Sequence, residues 1–131
     1  MANAIYPKYK EAILAASADV SLTTGTVKVA LSTAAYNSAH DFYNDVNANT
    51  IGTPQTIGSV TVTNGLFDGN DVTFTAVTGS QVTSLILYID TGTITTSRLV
   101  TFLDTNVTGL PVTPNGGDIS ITWNASGIFQ L

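Results

Sequence analysis

The sequence predicts a mainly β protein, an antiparallel β-sandwich of the jelly-roll type with one α-helix at its N-terminus. Three observations favour this fold class. The chain contains 22 threonines among many valines and isoleucines, and such β-branched residues suit a pleated, half-exposed sheet surface. Several short segments alternate apolar and polar residues, which is typical of half-buried strands. Gly, Asn, Asp and Pro, the usual turn residues, separate these segments.

The length and composition favour one folded domain. A chain of 131 residues suits a single domain, so we predict one over residues 1–131, with a helical segment at 1–20 and a β-sandwich at 26–131. The chain is 44% hydrophobic and only 10% charged, whereas disordered chains combine low hydrophobicity with high charge. It contains no cysteine, which excludes disulfides and thiolate chemistry.

The N-terminal segment predicts a helix over residues 6–18. Its apolar residues recur at spacings of three and four: Tyr6, Tyr9, Ile13 and Ala16. This spacing places them along one face of a helix, and Pro7 suits the first helical turn because its missing N–H has no partner there. A weaker helical turn is predicted over residues 39–46, with Ser38 as its N-cap.

Seven strands are predicted in the rest of the chain, at residues 26–32, 59–63, 71–77, 82–89, 98–104, 118–123 and 128–131. Alternation in the strand at 118–123 places Trp123 in the core. The longest predicted loop covers residues 47–58. Tyr36, Phe42 and Tyr43 fall in loop or short-helix sequence and are predicted to be exposed aromatic contacts.

The strands at 82–89 and 98–104 are apolar on both faces. Ile86 and Tyr88 lie opposite the leucine-rich face of the first strand, and Val100 and Phe102 have the same position in the second. A strand that is apolar on both sides must be covered on both sides. Two covers fit the sequence: the N-terminal helix, or a neighbouring copy of the chain. On the second interpretation these four residues form the interface of a homodimer or homotrimer.

The charge balance restricts the partners. Four basic residues face nine acidic ones, for a net charge of −5. A nucleic-acid surface needs clustered Lys and Arg, and a membrane-surface helix needs a basic face, so neither partner is expected. No apolar run approaches the ~20 residues of a membrane span. The opening residues lack the basic-then-apolar order of a secretory signal.

The few basic residues are themselves candidate contacts. Arg98 is the only one after Lys28, and it is predicted to form a cross-strand ion pair with Asp90; contact with an acidic partner is the alternative. Lys8 and Lys10, next to Tyr6, are predicted to reach an acidic neighbour.

The sequence carries no strong catalytic or metal-binding motif, and we expect neither an enzyme nor a cofactor. His40 is the only histidine, and no nucleophile-elbow pattern accompanies it. Residues 68–71 (DGND) offer oxygen ligands of the kind that calcium accepts, but without the spacing of a calcium-binding loop. A β-turn is the simpler interpretation.

The chain resembles, end to end, a family of small proteins encoded in the genomes of tailed bacteriophages and prophages. The stretches that carry the resemblance are residues 1–10 (MANAIYPKYK), 27–31 (VKVAL), 67–74 (FDGNDVTF), 87–93 (LYIDTGT), 96–99 (TSRL) and 108–118 (TGLPVTPNGGD). The resemblance implies a structural component of the virion and brings no catalytic residues with it.

Within that context, small size and β-rich composition favour a head decoration, or cement, protein. Proteins of this kind are made in the bacterial host cytoplasm and form dimers or trimers on the outer surface of the head, where they bridge subunits of the major capsid protein. Multivalent binding to the lattice would strengthen such attachment. A tail or baseplate protein, or a receptor-binding module that takes carbohydrate, is the alternative.

Overall fold

The computed structural model describes residues 3–105 and 107–131. Within them the chain is mainly β, with antiparallel sheets and one α-helix near the N-terminus, which confirms the coarse part of the predicted fold class. The strands are β1 (Ala4–Ile5), β2 (Thr26–Ser32), β3 (Thr50–Thr56), β4 (Thr61–Thr63), β5 (Leu66–Asp68), β6 (Val72–Phe74), β7 (Ser84–Asp90), β8 (Leu99–Leu103), β9 (Ile119–Ile121) and β10 (Phe129–Gln130).

The helix α1 (Pro7–Leu14) is shorter than predicted. Pro7 stands at its start as expected, but the chain leaves the helical conformation at Ala16, whose φ is 51°. The Ser17 N–H then donates to the Ala12 carbonyl, which is the closing bond of a Schellman motif. This end was missed because the motif usually carries glycine at the left-handed position, and here an alanine occupies it.

Five strands form the largest sheet, in the order β1-β8-β7-β2-β3. Its centre is the pair β2 and β7, which stay in register from Thr26 opposite Asp90 to Ser32 opposite Ser84. The predicted bounds of β2 agree with the structure, because its alternation is clear and Gly25 marks its start. Strand β8 pairs with β7 on one side and with the short N-terminal strand β1 on the other.

Two smaller sheets contain the remaining strands, in the orders β10-β5-β4 and β6-β9. Strand β5 was missed, although the sequence contains its signal. Asn64 and Gly65 join β4 to β5 with φ of 52° and 80°, and an Asn-Gly pair with two positive φ angles is the preferred two-residue hairpin turn. Buried apolar residues from α1 and from all three sheets form one core.

The predicted loop at residues 47–58 was wrong, because most of it is strand β3. Gly52 and Pro54 argued against a strand. However, β3 is the outermost strand of its sheet and pairs only with β2, so the missing N–H of Pro54 can be tolerated. Between Ile51 and Gln55 the pairing with β2 shifts, and this irregularity accommodates Gly52 and Pro54.

The predicted helical turn over residues 39–46 is also wrong in type: the structure has 3-10 turns at Tyr43–Asp45 and Asn47–Asn49.

Candidate functional site

The predicted interface on the β7–β8 hairpin is corrected by the structure. Ile86, Tyr88, Val100 and Phe102 are each at most 4% exposed. The opposite face of the hairpin is buried as well. Both faces are therefore covered within one copy of the chain, and these four side chains are not available on its surface.

The cover comes mainly from aromatic side chains that were predicted to be exposed. Tyr43 stacks on Tyr88 with 4.1 Å between ring centroids. Tyr36 lies 5.5 Å from Phe102 and 5.4 Å from Tyr6. The prediction of exposed contacts was wrong for Tyr43, which is buried, while Tyr36 and Phe42 are half-buried. Most of the cover belongs to the segment between β2 and β3, with Tyr6 added just before the helix.

Arg98 is engaged inside the chain, but not with the predicted partner. Its guanidinium lies 3.9 Å from a carboxylate oxygen of Asp41 and 5.1 Å from the centre of the Phe42 ring, and its Nε donates to the Ala18 carbonyl at 2.9 Å. The predicted pair with Asp90 is wrong because the Arg98 side chain lies against Asp41 and Phe42, while Asp90 pairs with Lys28. Arg98 thus joins the segments around residues 18 and 41 to the start of β8.

Asp90 instead pairs with Lys28, at 3.2 Å between Nζ and Oδ2. The backbone N–H of Gly92 donates to its other oxygen at 3.0 Å. The Gly92 bond, together with the lysine, lowers the pKa of Asp90 below its ordinary value. Two of the four basic residues, Lys28 and Arg98, are therefore committed to internal contacts.

The N-terminal segment is anchored firmly to the end of β8. The side-chain oxygen of Asn3 accepts hydrogen bonds from the backbone N–H groups of Asp104 and Thr105, at 2.7 and 2.9 Å. Its Nδ2 donates to the Thr105 carbonyl at 2.9 Å. Further along, the Thr101 hydroxyl donates to the Ala4 carbonyl and the Tyr6 N–H to the Val100 carbonyl. This anchoring holds the first turn of α1 in a fixed place.

Of the predicted contact residues, Lys8 and Lys10 alone are exposed. Lys8 lies 3.5 Å from Glu11, one turn along the helix. Lys10 has no ion-pair partner among residues 3–105 and 107–131. Tyr6, in contrast, is 1% exposed, and burial followed by the neighbouring Tyr36 raises the pKa of its hydroxyl well above the usual range. Tyr6 is therefore a neutral core residue.

A groove of about 570 Å³ lies beside Lys10. It is lined by residues of the N-terminal segment, of β8 and of the C-terminal strand β10. Ile5, Leu103 and Phe129 give it apolar surface, and Asn3, Lys10 and Gln130 give it polar groups. A second cavity, of about 320 Å³, shares Asn3, Ile128, Phe129 and Gln130 with the first. We call the first cavity the N-terminal groove.

Two of the strands that line the N-terminal groove, β1 and β10, are outermost in their sheets. They come from opposite ends of the chain. Strand β1 is the last strand of the five-stranded sheet, and β10 is the last strand of the three-stranded sheet. Edge strands present unpaired N–H and C=O groups to their surroundings. The groove therefore combines apolar surface, one lysine and open sheet edges, which is an arrangement suited to binding polypeptide.

The remaining sequence candidates lie apart from this groove. His40 is half-buried, and its Nδ1 forms no hydrogen bond within the described part of the chain. In residues 68–71, Asp68 accepts a bond from the Gly69 N–H and Asp71 one from the Trp123 N–H. No group of three acidic or histidine side chains suited to a metal ion occurs among the described residues. Trp123 is buried as predicted, with its Nε1 donating to the Asn70 carbonyl.

Comparison with known proteins adds no assignment. No protein-family model matches the chain, and no curated protein is significantly similar to it. In the part of the chain that the structure describes, no helix is both long enough and apolar enough to cross a membrane.

The sequence marked Lys10, which lines this groove, as a contact residue, but it gave no such signal for Asn3, Phe129 or Gln130. Asn3 is a short polar residue before the predicted helix, and its sequence context does not indicate that its side chain bonds to the backbone at the end of β8. Phe129 and Gln130 lie 119 and 120 positions after Lys10 along the chain, so only the fold brings them beside it. The predicted strand at 128–131 was the one signal for this part of the groove, because a strand must pair its backbone with another strand.

Proposed function

We propose that this chain is a structural protein of a bacteriophage virion, a head decoration protein that attaches to the major capsid protein through the N-terminal groove. The observation that carries the proposal is the groove itself, which places apolar surface, the uncommitted Lys10 and an open strand together. The resemblance of the chain to small proteins of tailed phages supplies the biological context. The protein's role in this proposal is to bind and hold, with no reaction to catalyse.

The charge distribution supports attachment to an acidic surface. The chain carries a net charge of −5, and two of its four basic groups are paired with Asp90 and Asp41. The other two, Lys8 and Lys10, are both exposed, and Lys10 lines the groove. Because complementary charge steers association and selects partners, an acidic segment of the capsid shell is the partner that fits.

We propose a homodimer or homotrimer as the attached form, since several contacts per particle strengthen lattice binding. The buried β7–β8 hairpin cannot supply the contact between copies, so another surface must do so. Leu14, at the end of α1, is 89% exposed and is the most exposed large apolar side chain among the described residues. We also propose that the two small sheets together form the second layer of a sandwich; the shared core supports this arrangement.

The test is co-sedimentation of the purified chain with phage heads that lack it. Removal of residues 1–10 is unsuitable, because Asn3, Ala4 and Tyr6 bond to β8 or to the residues just after it and their loss would damage the fold. The variant Lys10→Glu instead reverses one exposed charge. We expect the wild-type chain to sediment with heads and Lys10→Glu to lose at least ~80% of its occupancy, because interfacial like charges repel.

A matched control carries the same change in net charge elsewhere. Thr93 and Thr95 are exposed in the loop between β7 and β8 and do not line the groove, so Thr93→Asp/Thr95→Asp should bind heads like the wild type. Binding to purified tails or to cell-surface glycans, with none to heads, would overturn the head assignment in favour of a tail or receptor-binding role. Equal occupancy for Lys10→Glu and the wild type would overturn the role of the groove.

A further inference from the structure

We infer that the N-terminal groove binds its partner by strand addition: an extended acidic segment of the neighbouring shell protein pairs with the outer edge of β1. This inference deepens the proposed function and rests on it for the identity of the partner. It specifies what the groove recognises, namely a backbone in extended conformation with an acidic side chain near Lys10. Strand addition to an exposed edge is a recurrent way of binding peptides, with the backbone supplying affinity and the side-chain sites supplying specificity.

The hydrogen-bond pattern of β1 leaves its outer edge open. Ala4 and Ile5 lie opposite Phe102 and Thr101 of β8, and the Tyr6 N–H bonds to the Val100 carbonyl. In an antiparallel pair, bonded and non-bonded positions alternate. The backbone N–H and C=O of Ile5 therefore point away from β8, and among the described residues no backbone group pairs with them. One donor and one acceptor are thus presented outward.

The position of β1 is fixed before any partner arrives. The three hydrogen bonds of Asn3 hold one end of the strand, and the helix begins at Pro7 directly after its other end. A preformed edge binds more tightly than one that must be ordered during association, because less conformational entropy is lost. This rigidity distinguishes β1 from a loose N-terminal tail.

The side chains around the edge define what the added strand carries. Ile5, Leu103 and Phe129 give the groove apolar surface, and Lys10 lines it as well. Because Lys10 has no ion-pair partner in residues 3–105 and 107–131, an acidic side chain of the added strand would complete its contacts. The shell protein, and not a second copy of this chain, is our choice of occupant because the proposed role requires attachment to the shell.

The experiment uses the full chain and two synthetic octapeptides of alternating valine and threonine, one with a central glutamate and one with a central lysine. Affinity is measured by titration, and amide hydrogen exchange is followed at Ile5. We expect the glutamate peptide to bind and to slow exchange at Ile5 at least ~10-fold. We expect the lysine peptide to bind roughly 5-fold more weakly, in line with the contribution of one exposed ion pair.

The variant Lys10→Glu provides the charge-reversal control. It should prefer the lysine peptide over the glutamate peptide, with Ile5 protected as before. Absence of peptide binding, or binding that leaves Ile5 exchange unchanged, would overturn strand addition. So would self-association of the free chain that protects Ile5, since a second copy would then be the occupant.

The peptide assay and the head assay can fail independently. If heads bind the chain but the peptides do not, strand addition is wrong and the decoration role stands. If the peptides bind and protect Ile5 but heads do not bind, the edge takes extended chains and the decoration role is wrong.

Discussion

The β7–β8 hairpin and the N-terminal segment present opposite combinations of sequence and structure. The hairpin is the most apolar part of the chain and is apolar on both faces, yet the structure covers it completely. The N-terminal segment is short and alternates between apolar and polar residues, yet it provides an open strand and a free lysine beside a groove. Apolar character on both faces therefore shows that a strand needs two covers, and it does not show which molecule supplies them.

The largest expected effect tests whether the hairpin is covered by its own chain. Ile86→Ala should lower the free energy of unfolding by about 2–5 kcal/mol, because it leaves a cavity in a packed core. Leu87→Ala, on the opposite face, should cost a similar amount. The measurement is urea denaturation at several protein concentrations.

The concentration series separates the two possible covers. If Tyr43 and its neighbours cover this face, the difference in midpoint between Ile86→Ala and the wild type is the same at every protein concentration. If instead the midpoint rises with concentration for the wild type and not for Ile86→Ala, the hairpin is an interface between copies of the chain.

The second prediction concerns the anchor of the N-terminal strand. Asn3→Ala removes three hydrogen bonds and leaves the backbone N–H groups of Asp104 and Thr105, just after β8, without this acceptor, so we expect a loss of about 1–3 kcal/mol. Asn3→Asp keeps an oxygen for both N–H groups and should lose less. Thermal denaturation of both variants measures the difference, and equal stability of Asn3→Ala and the wild type would show that the strand is not anchored in this way.

The contrast between these regions also explains what the sequence could predict. The bounds of β2 and the burial of Trp123 were predicted because alternation is a local pattern that the sheet preserves. The cover of the hairpin was not, because Tyr36 and Tyr43 lie in a segment without periodicity. Strand β3 was missed because its position at the sheet edge, which tolerates Pro54, is a property of the topology. The groove pairs Lys10 with Phe129, and only the fold brings these residues together.

A smaller effect is expected at Tyr9, on the inner side of α1. Its hydroxyl donates to the Val20 carbonyl at 2.7 Å, and burial raises its pKa to about 12. Because the folded pKa exceeds the unfolded value near 10, this contribution is complete below pH 10 and declines as the pH rises through 12. Tyr9→Phe should be less stable than the wild type by about 1 kcal/mol at pH 8.

The pH dependence provides the check on Tyr9. In urea denaturation the difference between Tyr9→Phe and the wild type should shrink from pH 8 to pH 11. A difference that stays constant over this range would mean that the buried hydroxyl does not resist ionisation.

The smallest effect is expected at Asp90, at the sheet's partly exposed end. The Gly92 N–H and then Lys28 lower its pKa in the folded state. The stability that this carboxylate contributes is therefore present above the unfolded pKa of about 4 and is lost as the pH falls through the folded value. Asp90→Asn should show a shallower loss of stability on acidification below pH 4. If thermal denaturation shows the same loss of stability below pH 4 for Asp90→Asn and for the wild type, this assignment is wrong.

The central claim is that the hairpin is enclosed by its own chain while the N-terminal edge is the surface open to a partner. Amide hydrogen exchange, measured with and without saturating phage heads, tests both halves together. We predict strong protection across β7 and β8 in both samples, and protection at Ile5 only when heads are present. New protection confined to β7 and β8, with exchange at Ile5 unchanged, would contradict the claim.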